Sequence, residues 1–542
     1  MTSSLKYSLA LLSIILPILN VWAVGYHVGS SEEFFNISDV PLDRLAAGDT
    51  VYIHYKPVAY KDKWVIGASG TKEKPVVFFG VPENGSLPEI TGENAITNTS
   101  LNFWSEQRGI IKIGGTSQPA NNASHIVIEN LNIHTARPGY FFSDDNGNQQ
   151  EYAKNAAAIF MEKGDFITVR NCKIHDCGNG IFSAHQTSNI TIEGCEIYNN
   201  GIENSILEHN TYTESLNIVY RYNKFGPLRK NCLGNNLKDR SAGTVILSNY
   251  IVGGNRQLDL VESGHEQILN ASSYRTTFVG GNILIEPENA GNSQIIHYGG
   301  DNGNESNYRK GILYFYYNTI YSSRNGNTTL IRLSSSDEEA DVRNNIIYTT
   351  APGNSLAILN DLGSVDLYHN WLKEGWVKSH SNANAAVSNI VGNLSGIDPG
   401  FVNTQIESID LSLTSASVAI SHAIDLSNSI EEYLPKLMYD FTSDLFILRP
   451  ELKDIGAIEF NQITAVDASG TKDSNTSFKI YNNSLIKFDD DNTSFYVTAM
   501  NGKVLLNGEK MKTISIKDFA PGFYILTISR NNSLYKSRFF KY

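Results

Sequence analysis

Val169-Arg170-Asn171-Cys172-Lys173-Ile174 and, 23 residues on, Ile192-Glu193-Gly194-Cys195-Glu196-Ile197 are the same phrase: an apolar residue, four mostly polar ones, another apolar residue. It occurs once earlier, Ile128 to Ile133, and then as Tyr220 to Phe225, Ile246 to Ile251, Phe278 to Ile283, Phe315 to Ile320, Val342 to Ile347 and Leu367 to Leu372. The copies end 41, 23, 28, 26, 32, 37, 27 and 25 residues apart, so the period is in the mid-twenties with insertions, the mark of stacked units. Each unit carries two or three short strands with Asn or Gly at the bends and cannot bury its own apolar face, so it must stack on the next. Coils then sit about 4.8 Å apart and equivalent Asn residues form ladders. Cys172 and Cys195 share one position in the phrase, which predicts stacked inward-facing thiols rather than a disulfide, and no CxxC spacing suggests zinc.

The leucine-rich consensus of one repeat class and the Trp-Asp signatures of propellers are both absent, which leaves a right-handed parallel β-helix. Composition agrees: 542 residues, 41% apolar and 18% charged with 43 Gly, can bury a core but turn too often for long helices. The net charge of −13 excludes a general nucleic-acid binder, which needs a basic surface. Four cysteines are too few to staple an exported chain of this size, so packing must carry the fold.

At the start, Lys6, the apolar run Leu9 to Leu19 and Val21-Trp22-Ala23 read as a secretory signal over residues 1–23, with a mature start near Val24. The run is shorter than the ~18 residues a membrane span needs, and no later segment looks transmembrane. Residues 24–462 form the repeat domain and 463–542 a second module, whose alternating strands and turns at Asn501-Gly502 and Pro521-Gly522 predict a small antiparallel sandwich. Phe495-Tyr496-Val497, Ile514-Ser515-Ile516, Gly522-Phe523-Tyr524-Ile525-Leu526 and the basic end Lys536 to Tyr542 resemble the C-terminal sorting domain of the Bacteroidetes type IX secretion system. That resemblance implies export through the type IX machinery to the cell surface or medium. A carbohydrate-binding or spacer sandwich is the alternative.

The opening block, with Gly48-Asp49-Thr50-Val51-Tyr52, Lys74-Pro75-Val76-Val77 and Ile90-Thr91-Gly92, resembles the first coils of family 6 polysaccharide lyases and other pectin-lyase-like proteins. Arg449-Pro450 and Asp454-Ile455-Gly456-Ala457-Ile458-Glu459 are similar to their closing segment. Such a scaffold hosts lyases, hydrolases, epimerases and adhesins, so the activity has to be read from a site.

Residues 221–256 hold Arg221, Lys224, Arg229, Lys230, Lys238, Arg240 and Arg256 against a single acid, Asp239, a charge of +6 where the rest of the chain carries −19. A compact patch of this sign would concentrate an extracellular acidic polysaccharide, with Arg221 and Arg229 among its binding residues. Within it, Leu237 and Leu258 are expected to point inward, turning Lys238 and Asp259 outward on adjacent coils, with Arg240 on the same face as Lys238. Glu208-His209-Asn210 is expected to supply the strand one coil earlier, His185 another coil before, and His297 a later coil. Breaking a uronate chain by β-elimination needs a cation to neutralise the C6 carboxylate and a base for the C5 proton. Clustered cations disfavour a protonated Lys, so Lys238 is the first choice of base, with Arg240 or Arg256 as neutraliser. His209 with Tyr212 is the competing pair, and Asp259 with Glu262 is the carboxylate pair a hydrolase would use. The resemblance to family 6 lyases implies a Lys followed one coil later by an Arg, and calcium held by acidic residues and Asn. Lys238 matches in context, but the later coil offers Asp259 and Glu262 and the Glu-x-Glu motif before the Lys is missing, so metal dependence stays open.

Overall fold

The computed structural model describes residues 23–115, 122–288 and 290–460, and within the C-terminal portion 478–481, 485–488, 494–499, 504–509, 513–517, 519, 522–530 and 533–541. The expected signal segment up to Trp22, the boundary at 463 and the turn at Asn501-Gly502 lie outside the described residues. The chain is all-β: a right-handed parallel β-helix followed by small antiparallel sheets. Among the described residues no helix is long and apolar enough to cross a membrane.

The first half of each repeated phrase ends a strand on one face and the second half starts a strand on the next. Ile128, Val169, Ile192, Tyr220, Ile246, Val279, Phe315, Val342 and Leu367 form one continuous buried column, rung on rung, down the parallel ladder. Ile133, Ile174, Ile197, Phe225, Ile251, Leu284, Ile320, Ile347 and Leu372 form a second column in an eleven-stranded parallel sheet. One copy differs from the expectation by a residue. The sixth unit runs from Val279 to Leu284, not Phe278 to Ile283, and Phe278 faces outward, stacked on Tyr314 and Tyr433. Both readings put an apolar residue at each end, and the bend decides between them: Gly281 takes the left-handed conformation (φ 68°) that Asn171, Gly194, Tyr222, Ser248, Tyr317 and Asn344 take in their own copies.

The residue after each bend points inward. Asn223, Asn249, Asn282, Asn318, Asn345, Asn370 and Asn393 form a ladder in which each side-chain amide donates to the next side-chain carbonyl at 2.9–3.0 Å. Buried amides are tolerated because every rung satisfies its neighbour. Cys195 and Cys172 hold the preceding rungs, both buried and both free thiols, and the Cys195 amide donates to Asn223.

The closing segment runs back over the eleven-stranded sheet. Leu411, Leu437, Met438, Phe446, Ile455 and Ile458 pack on outward residues Tyr222, Ile283, Ile285, Tyr321, Ile346 and Trp371. The buried Arg449–Glu459 ion pair (2.6 Å) holds the final loop, whose Gly456 amide donates to Asn344 of the helix. This face is covered by the closing segment.

Candidate functional site

The candidate site lies on the face built by the strands Thr211–Thr213, Leu237–Asp239, Leu258–Leu260, Gln294–Tyr298 and Thr328–Leu333, paired in parallel. Leu237, Leu258, Ile296 and Ile331 register with one another and are fully buried. Because side chains alternate along a strand, the next residue of each turns outward, giving the file Tyr212, Lys238, Asp259, His297, Arg332 on five successive coils, about 19 Å long. The expected Lys238–Asp259 neighbourhood is therefore present. The strand before it is Thr211–Thr213 rather than 208–210, so Tyr212, not His209, stands beside Lys238.

Lys238 is nearly buried and its Nζ contacts Asp259 Oδ2 at 2.5 Å and Asp301 Oδ2 at 2.8 Å. Its contacts are carboxylates, not the cations that the sequence reading invoked to activate it as a base. Arg240 spans the same site: Nε donates to the Tyr212 hydroxyl oxygen (3.1 Å), Nη2 to Asp301 Oδ1 (3.1 Å) and Nη1 to the Glu262 carbonyl (2.5 Å). Glu262, fully buried, accepts the backbone amides of Asp301 and Asn302 at 2.7 and 3.0 Å and so positions the loop that delivers Asp301. On the other flank Asp259 accepts from Asn235 (2.7 Å) and His297 Nδ1 (2.9 Å), and His297 Nε2 lies 2.9 Å from the Ser334 hydroxyl.

Burial opposes ionisation of Asp259, but the bond from His297 and the charge of Lys238 hold its carboxyl well below the usual carboxylate range. Asp301 is lowered too, Lys238 and Arg240 outweighing partial burial. His297 is pushed down by burial against the pull of Asp259; a neutral ring donating through Nδ1 then accepts Ser334's proton at Nε2. His209 is fully enclosed, its Nδ1 accepts the Asn235 amide (2.9 Å), and burial with Lys238 nearby pushes it down to about 3. It is a neutral ring beneath Tyr212, edge-on at 5.4 Å, rather than a member of the outward file.

The compact basic patch is not formed. Arg221 pairs with Glu193 (2.6 Å), Lys224 with Asp444 of the closing segment (2.5 Å) and Arg229 with Asp176, while Lys230 is exposed away from any pair among the described residues. Residues 221–224 straddle the corner between two faces, and their acidic partners come from other coils, so a charge count over one window could not see the neutralisation. Of the seven basic residues, only Lys238, Arg240 and Arg256 reach the file of outward side chains. Arg256 donates to Gln294 (2.8 Å), lies 3.9 Å from Asp259 and is lowered by burial, with the like charge of Arg332 adding to that effect. Arg332 is partly exposed and has no ion pair among the described residues.

Sequence reasoning missed Asp301 and the role of its loop, for which Gly299-Gly300-Asp301-Asn302-Gly303, a polar Gly-rich run directly after a repeat strand, is the only local signal. It also missed Glu214 and His265. Glu214, two residues after Tyr212, takes a hydrogen bond from the Ser263 hydroxyl and lies 2.8 Å from His265 Nδ1, and the His265 ring stacks on His185. The donors that meet around Glu214 are thus two imidazoles and one carboxylate. Calcium prefers six to eight oxygens, so this set does not fit that ion.

Residues 120–283 match the family described as right handed beta helix region. No curated protein matches the chain. Solved structures similar to it include an alginate lyase from Paenibacillus sp. str. FPU-7 (13% identity, covering 64% of this chain and 97% of that one, TM-score 0.38). A GH136 lacto-N-biosidase from Eubacterium ramulus is 10% identical over 69% of this chain and 68% of its own, with a TM-score of 0.42. A mannuronic acid specific family 6 polysaccharide lyase from human gut microbiota is 14% identical over 61% and 60%, with a TM-score of 0.28.

Proposed function

We propose that this chain is a secreted enzyme that cleaves an extracellular uronate-containing polysaccharide by β-elimination in the groove above Tyr212, Lys238 and Arg240. The observation that carries the reading is a carboxylate already held there: Asp301 is gripped by Lys238 Nζ at 2.8 Å and Arg240 Nη2 at 3.1 Å. Two cations converging on one carboxylate are what a C6 carboxylate needs to acidify C5–H. A substrate carboxylate takes this place when the loop bearing Asp301 gives way, so Lys238 acts here as neutraliser with Arg240 rather than as base. The Tyr212 hydroxyl, beside Arg240, is the group that moves the proton. Its oxygen already accepts from Nε, so its own proton is directed elsewhere. The Tyr212 oxygen takes the C5 proton as the C4–C5 double bond forms and the C4–O4 bond breaks, and the proton the hydroxyl first carried passes to the departing O4, so the hydroxyl is restored. Arg256 and Arg332, close like charges further along the file, would bind a second acid group of the chain.

Hydrolysis by Asp259 and Glu262 is the lesser reading, because Asp259 is held ionised and Glu262 is fully buried with both oxygens taken by the Asp301 and Asn302 amides. A noncatalytic glycan-binding surface protein is the other. The same proposal makes residues 1–23 a cleaved leader, 24–462 the catalytic unit and 463–542 a type IX sorting module. Incubation with alginate, pectate, a glycosaminoglycan and ulvan, following the ultraviolet absorbance of unsaturated chain ends, tests the reading. New ends support it; reducing sugar without absorbance turns the assignment to hydrolysis, and binding with neither to an adhesin.

A further inference from the structure

Three residues that the groove chemistry does not use converge from segments far apart in the chain. His185 lies in the long strand Asn179–Glu193, Glu214 just beyond the strand Thr211–Thr213, and His265 directly before the short helix Glu266–Leu269. One ligand atom from each falls within 4.8 Å of the others. The two imidazole rings lie face to face, 3.5 Å between centroids and 8° from parallel. Gln267 of the helix donates its side-chain amide to the His185 carbonyl, tying the two segments together. Glu214 is held by the Ser263 hydroxyl and by its own amide, which donates to Ser183 at 3.1 Å. Among the described residues its carboxylate pairs with no Lys or Arg, and neither ring nitrogen of His185 has a hydrogen-bond partner. One carboxylate and two imidazoles, drawn from three separate segments, thus form a set of metal-ligating groups in one place.

We propose that His185, Glu214 and His265 bind one divalent transition metal of the zinc, cobalt or manganese class. Two His and one carboxylate suit such ions and leave further positions open for water or a ligand oxygen. The ligand atoms lie within 4.8 Å of one another, and because the two rings are stacked face to face, bonds of about 2.0–2.2 Å form only when binding turns the rings until their edges converge. The partly exposed His265 has room to turn. The position gives such an ion a view of the groove: Glu214 follows Tyr212 by two residues and His265 follows Glu262 by three.

The test uses the full chain stripped by a chelator and titrated with Co2+ alone. The expected result is visible d–d absorption saturating at one equivalent and bleached by Zn2+. It is lost in His185→Ala and in His265→Ala, with at least tenfold weaker binding in Glu214→Gln. A second cluster, His27, Glu32 and His54, has His27 Nδ1 3.0 Å from His54 Nε2, so His54→Ala serves as control and should leave the signal in place. Absence of saturable Co2+ binding overturns the proposal, as does binding that survives both His variants. Thermal melts of the variants in chelator separate metal loss from misfolding, and Glu214→Gln carries the test if a His variant does not fold. Metal content is read without turnover, so this inference and the lyase reading fail or stand separately.

Discussion

Asp301 Oδ2 sits 2.8 Å from the Nζ of Lys238, an exposed loop carboxylate neutralising a nearly buried ammonium that already touches Asp259. Lys238 therefore carries one carboxylate that its burial requires and a second that a ligand can replace. Asp301→Asn removes the competing charge without shortening the loop. The expected outcome is a several-fold lower KM for an acidic polysaccharide at low ionic strength, with kcat little changed. A KM that is unchanged or higher would mean that Asp301 itself contacts substrate productively.

Tyr212→Phe keeps the ring edge-on to His209 and removes only the oxygen that Arg240 donates to. If that oxygen moves the proton, kcat falls by about 10²–10⁴-fold while KM stays within a few-fold, since general acid–base catalysis contributes on that scale. Lys238→Ala is a poorer probe: stripping one partner from a buried ion pair costs about 3–5 kcal/mol, and lost activity would then report lost structure.

Arg332 makes no ion pair among the described residues, so its replacement disturbs no internal bond. Arg332→Ala should raise KM for a polymer about five- to tenfold, a loss of roughly 1–1.4 kcal/mol, and leave short substrates that do not reach it unaffected. Equal effects on long and short chains would remove it from the binding groove.

His209 predicts an acid-side stability slope. Its folded pKa, about 3, is below the unfolded value of 6.5, so between those pH values the unfolded chain binds the extra proton. Stability then rises with pH across this window and is lost as pH falls through it, at up to ~1.4 kcal/mol per pH unit from this residue. Denaturant midpoints of wild type and His209→Gln between pH 4 and 7 check it. The variant should show the shallower slope, and parallel slopes would contradict the buried neutral ring.

The Asn ladder makes a positional prediction. Asn318 is fully buried, with partners on both sides and a bond to the Val279 carbonyl, whereas Asn393 ends the column. Asn318→Ala leaves buried donors and acceptors unmet and should cost about 2–3 kcal/mol, with Asn393→Ala well below that. Urea unfolding of the two variants measures the difference.

The repeat was legible because burial acts locally: an inward residue has to be apolar wherever it falls, so Ile128, Val169 and Ile192 mark the helix in plain order. The inward Leu237 and Leu258 likewise oriented Lys238 and Asp259 from two strands alone. Reading failed where two adjacent apolar residues competed, as at Phe278 and Val279, and where charge was counted along the chain.

What the amino-acid order determines by itself is the coil: strand periodicity, the Asn and Gly bends, and which side chains of a strand face out. Only the stacked structure decides which outward charges meet. Glu193, Asp176 and Asp444 withdraw Arg221, Arg229 and Lys224 from the groove, and Asp301 enters it from 63 residues beyond Lys238. Electrostatic neutralisation depends on distance through space, and in a helix of coils the nearest neighbour of a side chain is a turn away rather than a residue away.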